Sequence, residues 1–207
     1  MDAWILAGSD GLEGGAVDLL QWIEPATEAR PAATITETGI ETVTGEHHEV
    51  DVIVYATGFH AHRFLNPMKI VGRGGVELHD KWDGNASAYL GITMPGFPNF
   101  FFMYGPNTNI VVNGSIIWFS EREANYICDS IGTILRTGIG SVDCKQQVHD
   151  RYKDWVDAGN KEMVWGVSTV NSWYKSPSGR VAQNWPYSLL EFWQQTRETN
   201  LADYLVS

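Results

Sequence analysis

Residues 51–59, DVIVYATGF, string β-branched and apolar side chains together and end in a small-residue turn, which predicts a buried strand over Val52–Ala56. Just upstream, TITETGIETVTGEHHEV alternates apolar and polar positions, predicting short strands around turns at Gly39 and Gly45, with His47 and His48 in the hairpin loop. A second buried strand is predicted over Phe100–Tyr104, broken at Gly105-Pro106. The period then changes. Ile116, Ile117, Phe119, Ile127, Ile131, Ile134 and Leu135 recur at helical spacing, with Asn113 or Ser115 as N-cap and Gly138 as the stop.

Two further helices are expected. DCKQ reads as a capping box that starts one at Asp143, with Val148, Tyr152 and Trp155 on one face. The last runs over Tyr187–Thr196, after Pro186. Residues 60–98 are loop-rich, and Gly72, Gly74 and Gly75 read as turn glycines with no helix after them. In residues 1–33, AWILAGSDGLEGGAVDLLQWI has the order strand, glycine turn, helix. Its glycines at 8, 11, 14 and 15 nevertheless miss the G-x-G-x-x-G spacing that brings backbone N–H groups onto a pyrophosphate. Residues 23–34 read as an irregular linker.

Composition narrows the function classes. The chain has 207 residues, 43% apolar and 12% aromatic, ample for a buried core. Only 14 Lys and Arg stand against 25 Asp and Glu, giving a net charge of −11. A nucleic acid, bound through clustered cations on its phosphates, is therefore not an expected partner. No apolar run reaches the roughly 18–20 residues of a membrane span, and no basic leader precedes one, so a cytoplasmic address is the expectation. Cys128 and Cys144 fit no metal or disulfide framework and read as buried thiols. His47 and His48 lack further ligands at a workable spacing, so no metal is expected.

The chemistry-bearing stretch is the strand that leads through GPNTN into a helix. A helix N-terminus carries partial positive charge and suits a ligand that gathers negative charge, although a plain strand–turn–helix connection uses the same Asn residues to cap and turn. Three features occur in one order: ATGF after a strand, YGPNTNIVVNGS running into a helix, and NSWY followed by GR. Together with the stretch MVWGVSTVNSWYKSPSGRVAQNWPYSLLEFW, they make residues 34–205 resemble the C-terminal part of Baeyer–Villiger and related class B flavin monooxygenases. The branch that oxidises aryl ketones, the 4-hydroxyacetophenone monooxygenases, looks closest.

The resemblance implies an α/β fold, a partial two-dinucleotide-binding-domain (Rossmann-like) flavoprotein with a helical, aromatic-rich C-terminal tail. Residues 1–33 are then an unmatched segment, 34–58 the end of an NADPH-binding domain, and 59–207 the C-terminal part of an FAD-binding domain with its tail. It further implies that Asp51, Ala56, Thr57, Gly58 and Phe59 pass beside both cofactors, FAD and NADPH. Gly105, Pro106, Asn107, Asn113 and Gly114 would lie at the flavin, with Gly114, where relatives often carry Met, contributing backbone only. Trp173 would contact the NADP ribose, whereas by composition alone it reads as a core aromatic.

The departures matter as much. The glycine fingerprints for FAD and NADPH, the active-site arginine and an active-site acid all lie upstream of the matched region in the family. Arg30 falls in the unmatched segment, so no catalytic residue is assigned. The implied parent reaction is NADPH- and O₂-dependent oxygen insertion beside the carbonyl of a small-molecule ketone, and the chain alone is not expected to turn over. The alternative is a non-catalytic interaction or regulatory subunit. A strand without its sheet neighbours exposes edges, so a complementary N-terminal half, a homo-oligomer or a substitute role for residues 1–33 is expected.

Overall fold

Alternation and glycine turns build the first part of the chain. In the computed structural model, which describes residues 4–6, 32–42, 44–54, 61–111, 114–169 and 172–207, the chain divides into two units, 1–59 and 60–207. In the first, β2 (Ala32–Ile35), β3 (Gly39–Thr42) and β4 (His47–Glu49) form an antiparallel meander, closed between β3 and β4 by Gly45. His47 and His48 therefore sit in a strand, not in the hairpin loop; Thr38 Oγ1 lies 3.1 Å from His47 Nε2. β2 also claims residues read as linker. The other pair is β1 (Trp4–Leu6) with β5 (Val52–Val54), and it is antiparallel. Val52 is 58% exposed, so the described part of the predicted strand lacks the two-sided burial of a parallel-sheet strand. The glycine turn and helix read into residues 7–23 lie outside the described residues.

The second unit is held together by aromatic packing. Leu78 and Trp82, buried one helical turn apart, define the short α1 (Leu78–Trp82), which follows a 3-10 turn at Arg73–Gly75. A helix thus does follow those glycines. Phe102 stacks on Trp82 with ring centroids 5.7 Å apart. The predicted strand Phe100–Tyr104 is absent: Asn99 and Tyr104 have φ of +55° and +54°, which break an extended run. One ladder-like bond remains, from Phe102 N–H to Ile92 O at 2.8 Å. Its apolarity feeds an aromatic cluster rather than a sheet.

α2 (Ile116–Thr137) starts after Ser115, which caps by position without a side-chain bond, and stops at Gly138 in the left-handed region, φ +71°. β6 (Val142–Cys144) takes Asp143 out of the predicted helix. Its carboxylate accepts the Gly96 N–H at 2.8 Å and pairs with Arg73 at 3.3 Å, so α3 (Gln146–Lys161) begins three residues later. α4 (Leu189–Gln195) likewise starts later than expected, where Ser188 and Glu191 form a true capping box. Tyr187, outside it, stacks on Trp155 at 4.0 Å. β7 (Tyr204–Val206) pairs with β6. The main core gathers Leu90, Ile92, Phe119, Val156, Trp185 and Phe192. Cys144 is buried but Cys128 is exposed, correcting the reading of two buried thiols. Among the described residues, no helix is long and apolar enough to cross a membrane.

Candidate functional site

The Gly-Pro turn and the segment after Trp173, which the sequence offers as separate motifs, form one structure. Asn107 N–H donates to Ala182 O at 2.9 Å, Asn109 N–H to Gln183 O at 2.9 Å, and Trp185 N–H to Asn109 O at 2.8 Å. Side chains repeat the junction. Asn107 Nδ2 donates to Val181 O at 2.9 Å and Asn184 O at 3.1 Å, and Asn109 Nδ2 donates to Asn184 Oδ1 at 2.8 Å. Arg180 adds a third strut. Its guanidinium donates to Asn107 Oδ1 at 2.8 Å and Ala86 O at 2.5 Å and pairs with Asp157 of α3 at 2.9 Å. Three fixed donors on one planar group orient all three elements at once.

Close backbone approach explains the glycine. A Cβ on Gly105 would fall 2.0 Å from Gly91 O, inside any permitted contact. The turn is therefore bare backbone on that side. Beside it opens a cavity of about 250 Å³ lined by Ala61, Phe64, Tyr104, Gly105, Asn109, Trp173 and Gln183. Tyr104 OH donates to Asn109 Oδ1 at 2.7 Å across its wall. Trp173 is 59% exposed and its O accepts from Gln183 Nε2 at 3.2 Å, so it is no core aromatic. A ligand pocket for a small molecule usually spans roughly 300–1,000 Å³, so this cavity by itself is too small for anything as large as a dinucleotide.

Of the candidate residues, Gly105 and Trp173 meet on this cavity. Asn107 does not reach it: buried, with φ +63°, its amide is consumed by Val181, Asn184 and Arg180. Pro106 is buried. Gly114 packs against Ile110 and Leu189, where a Cβ would meet Ile110 Cδ1 at 2.4 Å. Asp51 is exposed in the other unit, just before β5. Ala56, Thr57, Gly58, Phe59 and Asn113 lie outside the described residues.

Sequence reasoning missed Arg180, although GR was noted, and missed Glu123. The Glu123 carboxyl is wholly buried on α2, and its Oε2 accepts the Tyr104 N–H at 2.7 Å. Burial pushes its pKa up to about 7, opposed by that N–H. A glutamate flanked by apolar positions at i−4 and i+3 was the available signal.

The chain is 35% identical to a Baeyer–Villiger monooxygenase of Pseudomonas aeruginosa over 189 residues, 87% of this chain and 36% of that protein. It is 33% identical to an FAD-binding monooxygenase of Aspergillus niger, over 86% of this chain and 29% of that one. The chain belongs to the Baeyer–Villiger-type flavin monooxygenases. Among solved structures, an oxidised steroid monooxygenase bound to NADP superposes with a TM-score of 0.70 and 28% identity, covering 85% of this chain and 34% of that one. No family model matches the chain. It spans about a third of the length of the monooxygenases it matches.

Proposed function

We propose that this chain supplies the C-terminal portion of a monooxygenase that uses FAD, NADPH and O₂ to insert oxygen beside a ketone carbonyl, with Gly105 and Trp173 facing the cofactors. In this reading residues 34–58 close the NADPH domain and 59–207 complete the FAD domain with its tail. The supporting observation is that these two residues, assigned to different cofactors by separate motifs, line one cavity. Gly105, kept a glycine by its contact with the Gly91 carbonyl, brings main chain to the cavity wall, and the exposed Trp173 ring offers a stacking face. Asn107 and Pro106 hold the turn rather than the cofactor. When bound, the flavin supplies the redox chemistry, with NADPH as hydride source; the residues here orient and cover it. The phosphate-binding loops lie outside this chain's matched region, so turnover by the chain alone is not expected.

FAD titration, read by quenching of the nine tryptophans, tests this. Saturable quenching at micromolar FAD is expected, together with an NADP titration that weakens in Trp173→Ala, and a flat FAD titration, also after adding the N-terminal portion of a relative, would sink the reading.

A second reading, an interaction subunit that docks on a complementary N-terminal half, is favoured by α2. Ile117 and Leu135 on its outer face are 71% and 77% exposed, and the relatives carry about two thirds of their length beyond what this chain spans.

A further inference from the structure

Glu123 is a buried carboxyl that no cation neutralises among the described residues. Its Oε1 has no hydrogen-bond partner, and its Oε2 has the Tyr104 N–H. Tyr104 needs that bond. Its φ of +54° is a left-handed conformation, strained for an aromatic residue, that persists only where the surroundings fix it. Fixing comes from both ends, since the phenol is tied to Asn109. The next residue is Gly105, and both line the cavity with Trp173.

We propose that Glu123 is a positioning residue: through its hydrogen bond to the Tyr104 N–H it sets the Tyr104–Gly105 backbone, and its ionisation tightens that wall of the cavity. That the wall faces a cofactor rests on the function proposed above. The hold on Tyr104 does not.

The chemistry follows from bond strength. An ionised carboxylate makes a shorter bond to an amide, roughly twice as strong as that of a neutral acid. The other titratable groups near Glu123 keep their charge state in the neutral range. The phenols of Tyr104 on the turn and Tyr152 on α3 are both pushed above their ordinary value by burial, and stay protonated. Arg122 precedes it on α2. Glu123 is thus the group whose charge changes there between pH 5 and 9.

The test is NMR on chain labelled with ¹⁵N-tyrosine, which carries eight tyrosines; Tyr104→Phe identifies the Tyr104 amide by its loss. The expected result is that this amide moves downfield with a midpoint near pH 7 in the native chain, and stays flat in Glu123→Gln, which keeps an acceptor without the charge. A native amide that is flat from pH 5.5 to 8.5, or an equal titration in Glu123→Gln, overturns the proposal. The native titration alone decides the matter should the variant fold poorly. FAD titrations at pH 6 and pH 8 separate the two ideas. A Kd that shifts at least threefold in the native chain and not in Glu123→Gln supports both. A Kd that does not shift between the two pH values overturns the effect on the wall, whatever the amide does. An absence of FAD binding overturns the flavin reading only, and the amide still decides the role of Glu123.

Discussion

The two faces of α2 differ less in polarity than its apolar periodicity leads one to expect. Its buried face runs Phe119, Glu123, Tyr126 and Ser130, at steps of four, three and four, and three of these four side chains are polar. Its outer face carries Ile117, Ile131 and Leu135, all exposed. The polar groups inside are mostly spoken for. Tyr126 OH lies 2.8 Å from Tyr204 OH, and Ser130 Oγ lies 2.7 Å from Thr199 Oγ1. Each such bond requires one register between α2 and the C-terminal segment, because leaving a buried donor unmet costs about 1–3 kcal/mol. Apolar area alone would tolerate several registers. The inner face therefore specifies how the helix docks, and the outer face is apolar surface with no partner among the described residues.

The sharpest way to break this contrast is truncation on each face. Phe119→Ala should lower unfolding stability by about 3–5 kcal/mol, because a wholly buried ring leaves a cavity. Leu135→Ala should cost less than about 0.5 kcal/mol, as at an ordinary surface position. Urea denaturation followed by tryptophan fluorescence measures both. Comparable losses would mean that the outer stripe is packed in solution.

Glu123 gives the next effect, with a pH sign. Its folded pKa is raised from 4.5 to about 7. Below pH 4.5 both states hold the proton. As pH rises through 4.5 to 7 the unfolded chain loses a proton that the folded chain keeps, so stability falls, by about 3 kcal/mol in all at 1.36 kcal/mol per unit. Glu123→Gln should therefore match the native chain at pH 4.5 and exceed it at pH 8. Denaturation midpoints at the two pH values decide it, and an equal gap at both would remove ionisation as the cause.

A smaller effect of opposite sign belongs to α3. His149 is buried between Ser87 and Asp150; its Nδ1, 2.8 Å from Asp150 Oδ1, donates, which leaves Nε2 to accept the Ser87 hydroxyl at 3.1 Å. Burial lowers its pKa below 6.5, outweighing Asp150. The contribution is present above pH 6.5 and is lost as pH falls from 6.5 through the folded value, since the unfolded chain then takes up the proton first. Ser87→Ala should cost about 1–3 kcal/mol at pH 7.5 by leaving the buried Nε2 unmet. In His149→Gln the loss of stability just below pH 6.5 should be flatter than in the native chain, as shown by thermal midpoints across that range.

What the sequence made legible was local and periodic. Gly45 closes a hairpin, Gly138 stops α2, and the motif order carries the family. Long-range partners were not legible. Asp143 looks like a cap in DCKQ, yet its carboxylate is claimed by Gly96, 47 residues away. Phe100–Tyr104 looks like a strand because apolarity does not say whether a ring packs on a sheet or on Trp82. Asn107 looks like a cofactor ligand because a turn Asn facing inward and one facing a ligand are the same letter. Only the acceptors at Val181 and Asn184 decide between them. Gly105 and Trp173, nominated by resemblance, line the cavity. Glu123 and Arg180 were missed, since their partners lie 19 and 73 residues away.

The smallest effect on stability should carry the largest effect on association. Ile117→Glu with Leu135→Glu places two charges on the outer face of α2, where both side chains already meet solvent. Folding should change by less than about 0.5 kcal/mol, because neither residue is desolvated in the folded chain. A surface that is covered on assembly behaves differently: each charge must then be buried without a partner, at several kcal/mol. Sedimentation velocity distinguishes the cases. If the native chain self-associates at tens of micromolar and the double variant does not, the stripe is an interface between copies. If the native chain is a monomer that binds the N-terminal portion of a relative and the variant loses that binding, the stripe is where the rest of a monooxygenase sits. If native and variant chains behave alike in both experiments, the apolar stripe is ordinary surface, and the contrast between the two faces of α2 concerns stability alone.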